Sequence, residues 1–407
     1  MQVKYSSLES MLREYVMERN ADAYRELISK VTKVYSGALV AKIRKLARGV
    51  GRAVKIMDFC GTHEWTITHY GIRTLVPDGV ELIAGPGCPV CITPAYYVDQ
   101  LIKLSLDGVE VLTYGDAVRL PASVGLKPRS LLEAKAIGGK VHVVYSFMDA
   151  VKYAKSRTGD MVFFAIGFET TMPSVASVII KGKVPKNLTI LTAYRYTPPI
   201  VRYLFTKVKG VHLDGVIAPG HVSAVIGASS WEFIPKDYGV PTVVAGFEAI
   251  DVLIAIEKIL EMIAKSKAEL VNEYSRVVKW EGNKLAKKAI SEVFDVHDAY
   301  WRGIGFVERS GGFLRDRFKE YDAVRQYGLR DPPEDLSKEI IPGCKCHEVV
   351  LGLSKPTDCP LFMKVCRPSS PYGPCMVSIE GTCRIWAEHP EVLMLKEIKS
   401  TSNTLKF

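Results

Sequence analysis

The sequence predicts an α/β protein with parallel sheets, followed by a cysteine-rich segment that runs from Cys344 to Cys383. Two observations support the predicted fold class. From about residue 52 onward, short apolar runs such as VELIAGPG and DMVFFAIGF recur, and each ends in a turn rich in glycine, proline or cysteine. Helical stretches such as PAYYVDQLIKLSL and RSLLEAKAI lie between these runs. Continuous apolar strands that alternate with helices are typical of a parallel sheet covered on both faces.

The chain has 407 residues, which predicts two or three domains, because one core rarely organises more than about 250–300 residues. The first unit is expected to be helical, with Ser6 and Glu9 fitting a capping box at its start. Two related α/β units follow, although one long sheet could produce the same order of strand and turn motifs. Long amphipathic helices are expected over residues 251–290. The predicted units are residues 1–50, 51–150, 151–285 and 286–407.

The composition favours a cytoplasmic protein that binds neither membranes nor nucleic acids. The first residues lack the basic and apolar regions of a signal peptide, and the longest apolar run is far shorter than the roughly 18 residues that span a bilayer. The net charge is +10, and the densest basic stretch is KIRKLARGVGRAVK at residues 42–55. Such a stretch is more typical of the solvated face and last turn of a helix than of a nucleic-acid surface.

The nine cysteines are the strongest chemical signal in the sequence. In a reducing compartment, such a set favours metal binding or redox chemistry over a disulfide framework. In the C-terminal group only Cys344 and Cys346 form a close pair, whereas a zinc ribbon usually has two such pairs. Separated thiolates favour an iron–sulfur cluster, with zinc and disulfides as alternatives, and chemistry alone does not select which four bind. Three cysteines lie near the start and six near the end: Cys60, Cys88 and Cys91, then Cys344, Cys346, Cys359, Cys366, Cys375 and Cys383.

A C-x-x-C motif formed by Cys88 and Cys91 follows an apolar strand. In a strand–turn–helix context this motif favours dithiol–disulfide chemistry, and a helix N-terminus there would lower the thiol pKa. The alternative is half of a zinc site, completed by Cys60 and His63 or by a second chain.

A second motif, Cys60 with His63 and Glu64, follows another predicted strand. Cysteine, histidine and glutamate together form a plausible site for a soft metal. The alternative is an inert buried cysteine. Gly61 favours the functional interpretation, because glycine lets a ligand or another backbone approach closely.

Other polar residues at strand ends carry weaker signals. Glu169 in GFETT and His221 in APGHVS are each more typical of loop residues with satisfied hydrogen bonds than of ligands. Asp251, after GFEAI, is most simply the N-cap of the following helix. The sequence has no P-loop, no radical-SAM cysteine triad and no zincin motif, so enzyme classes with those signatures are set aside.

Five sequence blocks, taken in order, resemble those of the HypD family of [NiFe]-hydrogenase maturation proteins. The resemblance runs from about residue 50 to 385, and the family usually has proline where Ala249 stands. Four C-terminal cysteines are also similar in spacing to the family's C-x14-C-x6-C-x16-C pattern. The blocks are CGTHE at 60–64, GPGCPVC at 85–91, GFETT at 167–171, PGHVSAVIG at 219–227 and GFEAIDVL at 246–253, the last containing Glu248 and Asp251.

The resemblance implies a fold and a set of site residues. The fold would comprise two Rossmann-like α/β domains and a C-terminal [4Fe–4S] domain similar to ferredoxin–thioredoxin reductase. Cys60 would be a ligand of a substrate iron, with His63 and Glu64 beside it, since soft thiolates suit low-spin iron. Cys346 and Cys375 would form a redox-active dithiol. The cluster ligands would be Cys344, Cys359, Cys366 and Cys383.

The resemblance also implies an assembly scaffold rather than an enzyme with a classical single-substrate activity. With the small chaperone HypC, such a protein holds one iron while CO and two cyanides are added. HypE delivers the cyanide, with HypF upstream. Cys88 and Cys91 could relay reducing equivalents towards Cys60. Two alternatives remain, namely a thiol–disulfide oxidoreductase of the ferredoxin–thioredoxin reductase type and a structural metal-binding protein that binds partners.

Overall fold

The computed structural model describes the backbone of residues 21–333 and 335–390, and side chains from residue 35 onward. Within these ranges the chain forms an α/β fold with two mainly parallel sheets, which confirms the predicted class. The strands are β1 (Val54–Asp58), β2 (Val80–Ala84), β3 (Glu110–Thr113), β4 (Val141–Val143), β5 (Met161–Gly167), β6 (Leu188–Arg195), β7 (Gly215–Pro219), β8 (Thr242–Ala245), β9 (Leu270–Asn272), β10 (Phe294–Trp301) and β11 (Gly305–Leu314).

Helices connect most of the strands, and no helix in the described ranges is long and apolar enough to cross a membrane. They are α1 (Ala21–Val50), α2 (Gly61–His69), α3 (Ile72–Leu75), α4 (Ala95–Leu106), α5 (Leu131–Ala136), α6 (Phe147–Lys155), α7 (Met172–Ile180), α8 (Thr197–Lys207), α9 (Gly220–Ile226), α10 (Phe233–Tyr238), α11 (Ala249–Ala264), α12 (Lys284–Val293), α13 (Ala323–Gln326), α14 (Cys346–Val350) and α15 (Thr382–Glu388). Short 3-10 helices lie at Ala117–Arg119, Ala228–Trp231, Asp316–Tyr321, Pro356–Asp358 and Pro374–Met376.

The first sheet has the strand order β2-β1-β7-β8-β9, and all of its strands are parallel. The second has the order β10-β11-β6-β5-β3-β4, in which β10 and β11 are antiparallel to their neighbours and the others are parallel. Every residue of β5 and β6 is buried. Burial on both faces explains why these strands appear in the sequence as continuous apolar runs.

The sheets do not follow the predicted boundary at residue 150. The first sheet combines β1 and β2 with β7, β8 and β9, and the second combines β3 and β4 with β5 and β6. The second sheet also takes β10 and β11 from the unit predicted to begin at 286. The order of strands depends on pairing between distant segments, which local strand and turn motifs do not reveal.

The helix α1 packs against α11, and Leu39 and Ile43 lie in the same apolar cluster as Ile256 and Ile259. Its basic side chains at positions 44, 45 and 48 are exposed, in agreement with the prediction of a solvated helix face. The predicted capping box at residues 6 and 9 lies outside the described residues. The helices expected over 251–290 are interrupted by β9, so α11 and α12 are separate elements.

Asp251 is not an N-cap, which corrects the sequence-based prediction. The helix α11 has Glu248 as its cap, with extended backbone at φ −69° and ψ 151°. Asp251 lies at the third helical position, where its carboxylate accepts a hydrogen bond from the Glu248 amide at 3.2 Å. The two residues form a capping box, and Arg276 also pairs with the Asp251 carboxylate.

The cysteine-rich segment packs against the first sheet. A Cβ atom on Gly352 would lie 2.4 Å from the Met57 side chain and 2.7 Å from that of Ile83, so the segment touches β1 and β2 directly. Lys355 forms an ion pair with Glu81 of β2 at 2.6 Å. These contacts bring the C-terminal cysteines close to the loops that follow the first strands.

Candidate metal and thiol site

Four of the five sequence blocks meet at the carboxyl edge of the first sheet. The strands β2, β1, β7 and β8 are neighbours in this order and run parallel, so the loops after them lie side by side. Ligands of open α/β sheets usually bind at such an edge. The fifth block, GFETT, follows β5 in the second sheet. The four loops carry, in order, the Cys88–Cys91 pair, Cys60, His221 and Glu248.

Cys60 is the N-cap residue of α2 and has extended backbone at φ −147° and ψ 127°. Its side chain is a free thiol and is 9% exposed. Burial raises the pKa of Cys60 to about 12, and the negative charge of Glu380 adds to this rise. The thiol is therefore protonated at neutral pH, and binding of a metal cation there would release a proton.

Glycines let two other segments approach Cys60 closely. A Cβ atom on Gly87 would lie 2.5 Å from both the Cα and the N atom of Cys60. A Cβ atom on Gly61 would lie 2.4 Å from the carbonyl oxygen of Glu380, in the cysteine-rich segment. The loop after β2 and the cysteine-rich segment therefore both pack on the backbone around Cys60, which requires the absence of a side chain at these positions.

Replacing Gly87 with alanine should displace the loop after β2 and destabilise the fold by about 1–3 kcal/mol, because the new methyl group would overlap backbone atoms of Cys60. Chemical denaturation of variant and wild type measures this loss. Gly79→Ala is the matched control, since a Cβ atom there would meet nothing within 4 Å. Equal stability of the Gly87→Ala variant and the wild type would contradict the close packing around Cys60.

His63 is a fully buried, neutral histidine with one free lone pair. Its Nε2 atom lies 2.8 Å from the carbonyl oxygen of Gly246 and 3.2 Å from that of Ala245. Because carbonyl oxygens only accept, Nε2 carries the proton. Burial lowers the pKa of His63 to about 4, and Nδ1 has no hydrogen-bond partner among the described residues. Nδ1 is therefore free to accept a hydrogen bond or bind a metal.

An aromatic stack joins the loops after β1, β7 and β8. The His63 ring stacks on Phe247 with 4.7 Å between ring centroids, and Phe247 stacks on His221 at 3.9 Å. The exposed His221 is thus more than an isolated loop residue, since its ring belongs to this stack.

Glu64 ties the cysteine-rich segment to α2. Its carboxylate accepts hydrogen bonds from Trp386 Nε1 at 2.6 Å, Arg73 Nη2 at 2.5 Å and Thr68 Oγ1 at 3.0 Å. The carboxylate predicted beside Cys60 is therefore engaged by three donors, and it holds α15 against α2.

Cys88 and Cys91 are joined by a disulfide, and both are buried. In this form they do not provide half of a zinc site. The helix α4 begins at Ala95, with Pro94 as its N-cap, so a turn separates the disulfide from the helix. The structure therefore does not support the predicted lowering of the thiol pKa by a helix N-terminus, because that effect falls off within the first helical turn.

The C-terminal cysteines form a sulfur-rich group that could hold a metal. The Sγ atoms of Cys346, Cys375 and Cys383 lie within 4.8 Å of one another. The Sγ atom of Cys344 lies 3.2 Å from that of Cys346. This group combines both members of the predicted dithiol with two of the predicted cluster ligands. Thiolates at such spacing are typical ligands of zinc and of iron–sulfur clusters.

Backbone amides and a glycine shape the space around these sulfurs. The Cys366 Sγ atom accepts hydrogen bonds from the amides of Tyr372 at 3.4 Å and Gly373 at 3.5 Å. A Cβ atom on Gly373 would lie 2.6 Å from the Cys344 Sγ atom and 2.7 Å from that of Cys346. Amide hydrogen bonds to sulfur tune the reduction potential of iron–sulfur clusters, and the donor set therefore fits such a group.

Cys359 and Cys375 differ in the groups that surround their sulfur atoms. The Cys359 Sγ atom lies 3.8 Å from the carbonyl oxygen of Gly343, the residue before Cys344. Hydrogen bonds from the thiols of Cys346 and Cys383 lower the pKa of Cys375 well below its ordinary value. Cys375 is accordingly the thiol of this group that loses its proton most readily, within a fully buried environment.

Glu380, which no sequence motif indicates, also lies at the site. Glu380 accepts a hydrogen bond from the Thr62 hydroxyl at 3.2 Å. Burial raises the pKa of Glu380, and the charge of Asp116, after β3 of the second sheet, adds to the rise. The sequence offers one weak signal for Glu380, its position three residues before Cys383.

Glu169 lies at the carboxyl edge of the second sheet and is 1% exposed. Its carboxylate accepts hydrogen bonds from the Thr197 amide at 2.8 Å and from the Thr197 hydroxyl at 3.0 Å. Burial raises the pKa of Glu169 to about 7. The predicted loop residue is thus a buried carboxyl that links the GFETT block to the start of α8.

We expect Glu169→Gln to change how stability depends on pH. Because the folded-state pKa lies above the ordinary 4.5, protonated Glu169 stabilises the fold below pH 4.5, and this contribution is lost as pH rises through 7. The loss is about 3 kcal/mol. Glutamine stays neutral, so the variant should gain stability relative to wild type between pH 4.5 and 7, as measured by urea denaturation. The change Glu269→Gln, at an exposed residue, is the control. A pH profile of stability for Glu169→Gln that runs parallel to the wild-type profile would contradict the raised pKa of Glu169.

Comparison with known proteins gives a consistent result over most of the chain. A family model described as "HypD: Hydrogenase formation hypA family" matches residues 35–390. A putative hydrogenase expression/formation protein of Methanocaldococcus jannaschii is 44% identical, over 87% of this chain and 96% of its own. Hydrogenase maturation factors HypD of Cupriavidus necator and Escherichia coli are each 39% identical, over 85% and 83% of this chain and 92% and 90% of their own.

Proposed function

Since the chain belongs to the HypD family, we propose that it is a hydrogenase maturation factor that holds an iron ion at Cys60 while cyanide and carbon monoxide are attached. The iron is the substrate of this assembly step. In the proposed role the chain is a scaffold, and its chemistry depends on the residues that bind the iron and supply electrons.

The observation that carries this proposal is the convergence of four sequence blocks and the cysteine-rich segment around Cys60. A thiolate is a soft ligand, which suits iron that carries π-acceptor ligands. Glu380 contacts Gly61 and Thr62, next to Cys60, and the lone pair on His63 Nδ1 is a further potential ligand in the same motif. Burial of Cys60 favours the protonated thiol, so iron binding is coupled to the loss of that proton.

We propose that the small chaperone HypC supplies the second thiolate and that HypE delivers cyanide, with HypF acting upstream. Cys60 is 9% exposed, so a partner's cysteine would have to reach a largely buried thiol. A pair of thiolates from two proteins would hold the iron only while both are bound. Such a shared site would allow the finished iron group to leave when the complex separates.

A [4Fe–4S] cluster is proposed as the resident cofactor, held by Cys344, Cys359, Cys366 and Cys383. The spacing of these residues and the amide hydrogen bonds to Cys366 support this set. When bound, the cluster would supply one electron at a time. The nearby Cys346 and Cys375 would exchange two electrons between dithiol and disulfide, and their Sγ atoms lie within 4.8 Å in the reduced form described here.

We propose that the Cys88–Cys91 disulfide is the next thiol pair in this electron relay, after Cys346 and Cys375. Gly87, adjacent to Cys88, packs on the backbone of Cys60, so the pair is next to the proposed iron site. Reduction of this disulfide takes two electrons and two protons and yields two thiols. The disulfide also favours a second candidate function, a thiol–disulfide oxidoreductase that reduces a protein substrate.

Infrared spectroscopy tests the proposed function and separates it from the second candidate. The protein, purified without oxygen together with the small chaperone, should show bands in the cyanide and CO stretching region. Neither protein alone should show the full set of bands. An iron–sulfur protein that forms the complex and never shows these bands would contradict iron assembly and favour the oxidoreductase.

A further inference from the structure

Arg302 is a buried arginine with one nitrogen left without a partner. It is 4% exposed and lies in the turn between β10 and β11. Its Nη1 atom donates to the carbonyl oxygen of Pro121 at 2.7 Å, and Nε donates to that of Glu339 at 3.2 Å. Nη2 is buried and has no hydrogen-bond partner among the described residues. An unpartnered buried donor on a charged group is costly unless it serves another group.

The charge of Arg302 is only partly balanced by its carboxylate neighbour. The Glu339 carboxylate lies 4.0 Å from Nε, at the limit of an ion pair. The same carboxylate accepts hydrogen bonds from the amides of Ala95 at 2.6 Å and Tyr96 at 2.9 Å. Glu339 therefore also stabilises the N-terminus of α4. Its carboxylate neutralises the positive charge of Arg302 only in part, so this charge can act on other groups nearby.

The backbone around Arg302 contacts segments next to both thiol centres. Its backbone amide donates to the carbonyl oxygen of Ile92, next to Cys91, at 2.9 Å. A Cβ atom on the following residue, Gly303, would lie 2.7 Å from the Cβ atom of His347, next to Cys346. Burial lowers the pKa of Arg302, while negative charge on Glu339, Cys346 and Cys344 opposes this change. The guanidinium group stays charged in either case.

We propose that Arg302 is a positioning residue whose buried charge acts on the C-terminal thiolates and raises the reduction potential of the centre they hold. The inference rests on the proposed iron–sulfur function. One-electron reduction makes a thiolate-bound cluster more negative, so a nearby buried cation stabilises the reduced form more than the oxidised form. Arg302 would thereby ease electron uptake from a reductant.

The test is a redox titration with dithionite, followed by visible absorbance and electron paramagnetic resonance. Arg302→Gln should shift the midpoint potential of the cluster to a lower value, and Arg302→Lys, which keeps the charge, should stay closer to wild type. Arg195→Gln is the matched control. Arg195 is also a buried arginine bonded to backbone carbonyls, those of Tyr194 and Tyr300, and it should leave the potential unchanged.

Two results would overturn the proposal. One is a folded Arg302→Gln variant with a lower melting temperature and an unchanged potential, which would give Arg302 a structural role only. The other is a midpoint potential that falls equally in Arg302→Lys and Arg302→Gln, which would show that the charge of Arg302 does not set the potential. The lysine variant keeps the charge and is the more conservative change, so it provides a test if the glutamine variant does not fold. Absence of any cluster in the wild type would instead contradict the proposed cofactor, so the two failures are distinguishable.

Discussion

Replacing Cys60 with alanine should abolish the cyanide and CO bands of the complex with the small chaperone, while the absorbance of the iron–sulfur cluster is retained. The variant removes the thiolate proposed to hold the substrate iron. The C-terminal cysteines should keep their own contacts, since none of the hydrogen bonds of their sulfurs within the described residues involves Cys60. Infrared spectra of the anaerobic complex, normalised to protein concentration, measure the loss.

A control is needed because deleting a buried side chain can by itself destabilise a protein. Ile67→Val lies on the same helix, α2, and removes one buried methyl group without touching Cys60. That variant should keep the bands. Bands of normal intensity in a folded Cys60→Ala protein would rule out the proposed role of Cys60.

Alanine at Cys366 should remove the cluster and loosen the cysteine-rich segment. We expect the broad visible absorbance to disappear and the bound iron to fall from about four atoms per chain to near zero. The melting temperature should also fall, because metal binding contributes to the folding free energy of a segment with little apolar core. Iron analysis, absorbance and thermal unfolding under anaerobic conditions measure these effects.

The choice of ligands can be tested with Cys346→Ser and Cys359→Ala. Under the proposed assignment, Cys346→Ser keeps the cluster and Cys359→Ala loses it. The opposite pattern would assign the cluster to the compact group of Cys346, Cys375 and Cys383 seen in the structure. Stoichiometric zinc in wild-type protein prepared without oxygen would exclude the iron–sulfur cluster itself.

The strands of this protein could be predicted from the sequence because their signal is local. The apolar runs at β1, β2, β5, β7 and β8 were recognised, since burial on both faces leaves few polar residues within them. The order of the strands was not recognised. β7 lies between β8, the next strand in sequence, and β1, which is far from it in sequence, and the pairing with β1 depends on the packing of the whole sheet.

The candidate site shows the same division. Cys60 and the C-x-x-C motif could be identified because each carries its chemistry within a few residues. Glu380 and Arg302 could not, because their importance depends on contacts with distant segments. Asp251 is predicted as the N-cap but lies at the third helical position. The sequence does not distinguish the N-cap, Glu248, from its capping-box partner, Asp251.

The interleaved sheets have a consequence for the order in which a newly synthesised chain can build this site. The loop that carries Cys60 lies after β1, but the neighbouring strand β7 begins at Gly215, and Glu380 emerges from the ribosome later still. The proposed iron site would therefore be incomplete in a partly synthesised chain, because residues from both ends of the sequence form it. Under the proposed function, Cys60 would become able to bind iron only when translation of the C-terminal cysteines is almost complete, so the timing of synthesis would prevent premature capture of iron.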